Sequence, residues 1–283
     1  DSVASRGLGD VYKRQIITAM KNLIRNGVDG IDLTDPIHFI IFEVRLPRII
    51  LAVLTGGLLS MAGASYQAIF QNPMADPFVM GVSSGAAFGA TMAIVFLPAT
   101  SFLGHTLVSL SAFICAILIS LIVYTVSRTK RGVDNYSVLL TGIVISAILS
   151  SAISLIMMVH RDEAMAIITW TMGSFNAKSW IHVGTIFIPT LIAFIVTIYH
   201  GKDLNLLVMG EEEAISMGLD VKKLKRNLLL LSALLTSLAV SVSGIIGFVG
   251  LIVPHFIRLI FGGDHKFLMP ASMIVGGIFM LLA

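Results

Sequence analysis

Apolar and polar positions fall into long blocks along this chain, with neither the alternation of a strand nor the one-sided stripe of a soluble helix. The first full apolar block, residues 49–71, holds no charge. At about 1.5 Å per residue it rises roughly 34 Å as a helix, enough to cross the hydrocarbon of a bilayer. A polar, Pro-rich corner follows at residues 72–77, and apolar blocks then occupy residues 78–97, 103–126, 137–159, 182–199, 227–243 and a shorter, Gly-rich 244–261. An eighth block, residues 268–283, stops after sixteen residues, short of the roughly twenty that a span needs. The pattern predicts an all-α, polytopic transmembrane helical bundle of about eight helices, the last of them truncated. Ahead of the first span, Asp35-Pro36 reads as a helix start, a capping carboxylate followed by Pro at the first helical position. It predicts a short helix over residues 36–44 at the membrane surface, a connector as readily as a binding element.

Basic residues orient this bundle. Arg128, Lys130 and Arg131 lie between the third and fourth spans; Lys202, Lys222, Lys223, Lys225 and Arg226 lie between the fifth and sixth; Lys266 precedes the eighth, with Arg258 near it. Even numbers of spans separate these loops, so they share one side, which the positive-inside rule makes the cytoplasm. Arg45, Arg48, Arg161 and Lys178 then face the opposite side.

Composition agrees with a membrane protein. The chain is 56% hydrophobic and 12% charged, about half the charge of a soluble domain, and its mean hydropathy is +0.93. A net charge of +3 is no nucleic-acid signal in such a chain. The single cysteine, Cys115, lies within an apolar block and reads as a packing residue. Residues 1–15, DSVASRGLGDVYKRQ, show no signal-peptide pattern and are expected to be non-native, scar-like sequence. Residues 16–30 are weakly apolar and too short to cross. Residues 16–283 are expected to form one transmembrane domain lacking at least one span at each end.

Candidate functional residues fall in three groups. Arg45 and Arg48 stand at the mouth of the first span, on the side that the positive bias does not favour. Interfacial snorkelling accounts for arginines at a helix end; the functional alternative is a dock for carboxylates of an external partner, which the planar guanidinium grips in bidentate fashion. Gly81, Gly85 and Gly89, four residues apart, fall on one helix face and let another helix approach closely. The third group lies in the longest cytoplasmic loop, residues 201–226. There Glu211, Glu212 and Glu213 open a helical segment that runs to Met217, with Gly218 as its C-terminal stop. Leu204, Leu206, Leu207, Val208, Ala214, Ile215, Met217 and Leu219 make that loop more apolar than a solvated connector needs to be, which points to a docking helix. Residues 244–258 carry Gly244, Gly247, Gly250 and Pro254, the pattern of a kinked, tightly packed span, and His255 beside that proline is read as structural.

Certain chemistry is missing from the sequence. No Asp or Glu falls inside a span, where ion-coupled carriers usually keep an ionisable group. There is no phosphate-binding G-x-x-x-x-G-K-[ST] loop, no His/Cys metal cluster and no nucleophile–base pairing. No catalytic residue, metal site or cofactor is assigned.

Taken together, RLPR at 45–48, QNPMADP at 71–77, GVSSGAAFGA at 81–90, GEEEAISMG at 210–218, GFVGLIVPHFIRL at 247–259 and DHKFLMPAS at 264–272 resemble the FecCD family. These are permease subunits of ATP-binding-cassette importers for iron–siderophore, haem and cobalamin. Six blocks in order over residues 35–283 carry the resemblance. It implies about ten transmembrane helices in the full fold, a homo- or heterodimer with the pathway between subunits, and alternating access driven by separate ATPase subunits. It implies further that Arg45 and Arg48 receive acidic residues of an extracytoplasmic substrate-binding protein. The segment holding Glu211, Glu212, Glu213, Ala214, Met217 and Gly218 would couple to the ATPase, and the location would be the bacterial cytoplasmic membrane. The competing reading is an ion-coupled secondary transporter, with a membrane scaffold or intramembrane enzyme behind it.

Overall fold

The computed structural model describes residues 35–97, 102–129 and 132–283. The expectations for residues 1–15 and 16–30, and for Lys130 and Arg131, lie outside the described residues. The chain divides into a small unit, Asp1–Leu51 with Asn176–Gly184, and a large one, Ala52–Phe175 with Thr185–Ala283.

Helix α1, Pro36–Phe39, starts where the sequence placed it: the Asp35 carboxylate accepts the Ile37 N–H at 3.1 Å and Pro36 stands at the first helical position. The short surface helix expected over residues 36–44 does not end there. A π-helical stretch, Ile40–Arg45, carries the backbone into α2, Leu46–Ile69, and the residues at both joints, Ile40 and Leu46, keep helical angles. Pro47 supplies the physical reason. Its ring would strike the carbonyl four residues back and it has no N–H to donate, so the turn before it widens and the Leu46 N–H bonds to the Ile41 carbonyl.

The corner after α2 is built from side-chain caps. Asn72 accepts the Met74 N–H at 2.9 Å and Asp76 accepts the Phe78 N–H at 2.8 Å. Pro77 then opens a single 3₁₀ turn, Pro77–Met80, closed by Gly81 at φ +70°. Only after that reversal does α3, Val82–Phe96, begin. The span expected at residues 78–97 is therefore a turn plus a fifteen-residue helix. Gly81 does not share a helix face with the other two glycines, because restarting a helix after the turn calls for a left-handed residue there. Gly85 and Gly89 do pack as expected against α4, Phe102–Val126: a side chain at Gly85 would crowd Ile119 and the Cys115 carbonyl, and one at Gly89 would strike the Ser111 carbonyl.

A two-residue hairpin pairs β1, Arg128–Thr129, with β2, Gly132–Val133. The remaining helices are α5 (Asn135–Val159), α6 (Ala164–Thr171), α7 (Trp180–Tyr199), α8 (Gly201–Met209), α9 (Glu211–Ser216), α10 (Val221–Ser243), α11 (Val249–Phe261) and α12 (His265–Leu282). The short α6 was not expected. Residues 244–248 are not helical either, so the seventh span begins at Val249 rather than Gly244; Gly244 has φ +72° and Phe248 φ +68°. Five helices among the described residues are long and apolar enough to cross a membrane: α4 from Thr106, α5, α7, α10 and α12, with α3 and α11 shorter. Of the five, α10 is the most enclosed and α5 the least.

In the large unit, small residues set the approach of α2 to its neighbours. A Cβ at Gly63 would collide with the Gly250 carbonyl of α11, and one at Gly56 with the Gly276 carbonyl of α12. At Gly184, in the small unit's part of α7, an added side chain would meet no atom of the described residues. We expect Gly63→Ala to force α2 and α11 apart at a cost of about 1–3 kcal/mol, read as a lower Tm in detergent. Gly184→Ala should leave Tm unchanged or raise it, because alanine is the better helix former by about 1 kcal/mol.

Candidate functional site

Residues 201–226, expected as a loop with one helical segment from Glu211 to Met217, are mostly helix. His200 Nδ1 lies 2.8 Å from Asp203 Oδ2 in the first turn of α8. Gly210, at φ +139°, separates α8 from α9. Three glutamates fill the first turn of α9, where the helix dipole favours them. Gly218, at φ +86°, ends it as the sequence predicted: its N–H meets the Ile215 carbonyl at 2.9 Å and the Leu219 N–H meets the Ala214 carbonyl at 3.0 Å. Asp220 then accepts the Lys223 N–H at 3.0 Å and starts α10. Lys222, Lys223, Lys225 and Arg226 therefore lie in the first turns of a helix, where the sequence reading had placed a loop. Cations are disfavoured at that end, and the Asp220 carboxylate offsets part of the cost.

The apolar residues of this region sort by face. Leu204, Leu207 and Ala214 are fully buried and anchor α8 and α9 to the bundle. Leu206 and Leu219 are half-buried. Val208, Met209, Ile215 and Met217 are exposed, Ile215 and Met217 at 59% each. The outward apolar surface is thus narrower than the sequence suggested, because three of its expected members are core.

Hydrogen bonds gather the connectors at one end of the large unit. Gln71 Nε2, in the corner after α2, donates to the Leu207 carbonyl at 2.7 Å. Asn205 Nδ2 donates to Asp264 Oδ1 at 2.7 Å and its Oδ1 accepts the His265 N–H at 2.8 Å. Lys225 Nζ donates to Asn135 Oδ1 at 3.1 Å and to the Glu211 carboxylate. The corner, α8, α9 and the starts of α5, α10 and α12 meet there, as the even number of spans between the basic loops requires. The Asn205 side chain, and then the Lys266 N–H, hold the Asp264 carboxyl below its ordinary range. The Ser137 hydroxyl and N–H do the same for Asp134. Burial raises the Asp76 carboxyl, against the opposing pull of the Phe78 N–H.

A second polar contact joins α2 to α11. Arg258 Nη1 donates to Gln67 Oε1 at 3.0 Å, while Gln67 Nε2 donates to the Leu251 carbonyl at 3.1 Å. Between α3, α5 and α6 lies a cavity of about 490 Å³. Ser83, Ser84, Ser146, Ser150, Ser154 and Thr171 line it together with Met157 and Met172. The Ser84 and Ser146 hydroxyls sit 2.9 Å apart. Among the described residues no group of three or more His, Cys, Asp or Glu is placed to hold a metal ion.

Arg45 and Arg48 belong to the small unit. Arg45 is exposed at the end of the π-helical stretch, and Arg48 is half-buried in the first turn of α2. Arg48 Nη1 reaches Asn176 Oδ1 only at 3.5 Å. Trp180 Nε1 donates to the Phe42 carbonyl at 3.0 Å, which fixes the start of α7 to this stretch.

Sequence reasoning missed the buried position of Lys225 and the hydroxyl-lined cavity. Both had a signal. Lys225 falls on the stripe of Val221, Leu224, Leu228 and Leu229, and Ser146, Ser150 and Ser154 recur every four residues along α5.

The described residues thus form an apolar helical bundle whose connectors meet in polar contacts at one end. The family model of the FecCD transport family matches residues 4–283. The hemin transport system permease protein HmuU of Yersinia pestis is 38% identical over 88% of this chain and 75% of its own. The cobalamin import system permease protein BtuC of Halobacterium salinarum is 37% identical over 86% of this chain and 65% of its own. A solved structure in an inward-facing conformation, assigned to the metal-chelate type of ABC transporter, superposes with a TM-score of 0.79 at 32% identity, covering 98% of this chain and 89% of that one. The chain belongs to the FecCD transport family. It is thus a multi-pass membrane protein and a permease subunit of an ABC transporter, whose ATPase is a separate subunit.

Replacing Gln67 by Leu should leave the half-buried Arg258 without its acceptor, at a cost of about 1.5–3 kcal/mol. Unfolding in detergent would measure this. Adding Arg258→Met to Gln67→Leu should recover part of the loss, since the pair would then be removed together.

Proposed function

We propose that this permease imports a metal chelate of the ferric-siderophore, haem or cobalamin kind across the cytoplasmic membrane by alternating access. The carrying observation is the outward face of α9, where Ile215 and Met217 are exposed beside the three glutamates while Ala214 pins the helix from behind. A helix held to the bundle on one side, with two apolar side chains and three carboxylates outward, suits insertion into a groove on an ATPase subunit. ATP binding draws two such ATPases together, and α9 passes the displacement to the bundle. Arg45 and Arg48 receive carboxylates of a substrate-binding protein that delivers the chelate. A second permease subunit completes the pathway. The binding protein holds the cargo, so the membrane subunit needs no charged site of its own. The substrates of the hemin and cobalamin relatives, and the metal-chelate type of the superposed structure, support the cargo class.

Two experiments test this reading. Ile215→Asp with Met217→Asp should abolish co-purification of the ATPase from membranes in which the permease still accumulates; undiminished co-purification would place the dock elsewhere. Arg45→Glu with Arg48→Glu should abolish ATP-dependent uptake of hemin, cobalamin or ferric siderophore into vesicles supplied with the binding protein, without loss of expression. Uptake that follows a proton gradient and ignores ATP would favour an ion-coupled carrier.

A further inference from the structure

The Glu211–Lys225–Asn135 contact goes beyond the docking of α9. We propose that Lys225 is the positioning residue that transmits the displacement of the ATPase-facing helix α9 to the membrane helix α5, an inference that rests on the ATPase-docking reading above. Lys225 is 4% exposed, an enclosed site for an ammonium group. It projects from α10, the most enclosed of the five long apolar helices. On one side it meets the carboxylate of Glu211, the first residue of α9; on the other it donates at 3.1 Å to the side chain of Asn135, the first residue of α5. The same ammonium helps hold the carboxyl of Asp134, the residue capping α5, below its ordinary range.

The physics makes this contact stiff. An enclosed ammonium that loses its carboxylate is left uncompensated, so Glu211 cannot be drawn away from Lys225 without a large penalty. A push on α9 is therefore transferred through the ammonium, not absorbed by sliding. The receiving element is the one most able to respond. Helix α5 is the least enclosed of the five, and its first turn is held by Asp134 and Asn135 together with the fully buried Val138. Lys222, Lys223 and Arg226 are exposed on the same turns and make no such bridge to α5. Of the basic run, only Lys225 faces inward.

The test uses the assembled transporter, full-length permease with its ATPase subunits, in proteoliposomes. Cys115→Ser removes the native thiol and Ser151→Cys places a reporter on the exposed face of α5. With Lys225 intact, trapping with ATP and vanadate should change the maleimide labelling rate of the reporter by about 5-fold or more, the lower end of ordinary coupling between sites. Lys225→Met should remove that change while the ATPase still co-purifies at the same ratio, and Lys225→Arg should restore it. Where Lys225→Met does not accumulate, Glu211→Gln, which keeps an acceptor and removes the charge, must blunt the change. A full nucleotide response in Lys225→Met or Glu211→Gln would overturn the proposal. So would loss of the ATPase from Lys225→Met, which would make Lys225 a docking residue. No nucleotide response with Lys225 intact would instead sink the ATPase-docking reading and this proposal with it.

Discussion

Helices in lipid gain little from hiding apolar side chains from one another, since the surrounding tails are just as apolar. Their association depends on how closely the backbones can come. In the large unit this constraint falls on α2, whose Gly56 and Gly63 meet the backbones of Gly276 in α12 and Gly250 in α11. A single added methyl at any of these positions would occupy the place of a carbonyl. Gly85 and Gly89 repeat the arrangement between α3 and α4, and there the Ser111 hydroxyl turns the approach into a hydrogen bond, donating to the Gly89 carbonyl at 2.8 Å. The core is in this sense a set of backbone contacts with large side chains, Leu58, Tyr66 and Met80 among them, filling the space between.

Polar groups are handled by a second rule, that nothing hydrogen-bonding should face hydrocarbon unpartnered. Inside the helices many hydroxyls fold back on their own backbone: Ser65 donates to the Met61 carbonyl, Thr197 to Ala193 and Ser237 to Ala233, four residues earlier in each case. At the connectors, where backbone groups are left over, amides and carboxylates take their place. Asn72, Asp76, Asp134, Asp220 and Asp264 each cap a turn or helix start. Gln71, Asn205 and Lys225 then join those starts to one another. The end where α9 is displayed is held by polar contacts, while the middle of the bundle is held by shape.

This division explains what the sequence disclosed. Apolar blocks marked every span, because a bilayer-length run without charge has few other readings. Caps were legible too: Asp35-Pro36 and Gly218 behaved as local chemistry dictates. What stayed hidden depended on partners far away in the chain. The first turns of α10 read as loop because Lys222, Lys223, Lys225 and Arg226 outweighed the apolar stripe running through them, whereas the helical segment from Glu211 was expected. Gly81 read as one of three equivalent glycines because spacing alone cannot tell a packing glycine from one that reverses the backbone. The π-helical stretch before Pro47 was in principle derivable from the missing N–H, but a proline near a helix start usually passes without such a cost. Family resemblance supplied the order of the blocks; no periodicity could have done so.

The same two rules bear on which part of the large unit can move. Helix α2 approaches its neighbours so closely that at Gly63 there is no room for even a methyl group before the Gly250 carbonyl. Helix α5 is in another position. Its closest approach is at Gly142, against the Val79 carbonyl in the 3₁₀ turn. Val138 and Ile145 pack on the core beside it, while Ser146 and the hydroxyl-lined cavity form a part of the contact where one hydrogen bond can be exchanged for another at little net cost. Hydroxyls that can re-pair make a sliding surface, whereas interlocked glycines make a fixed one.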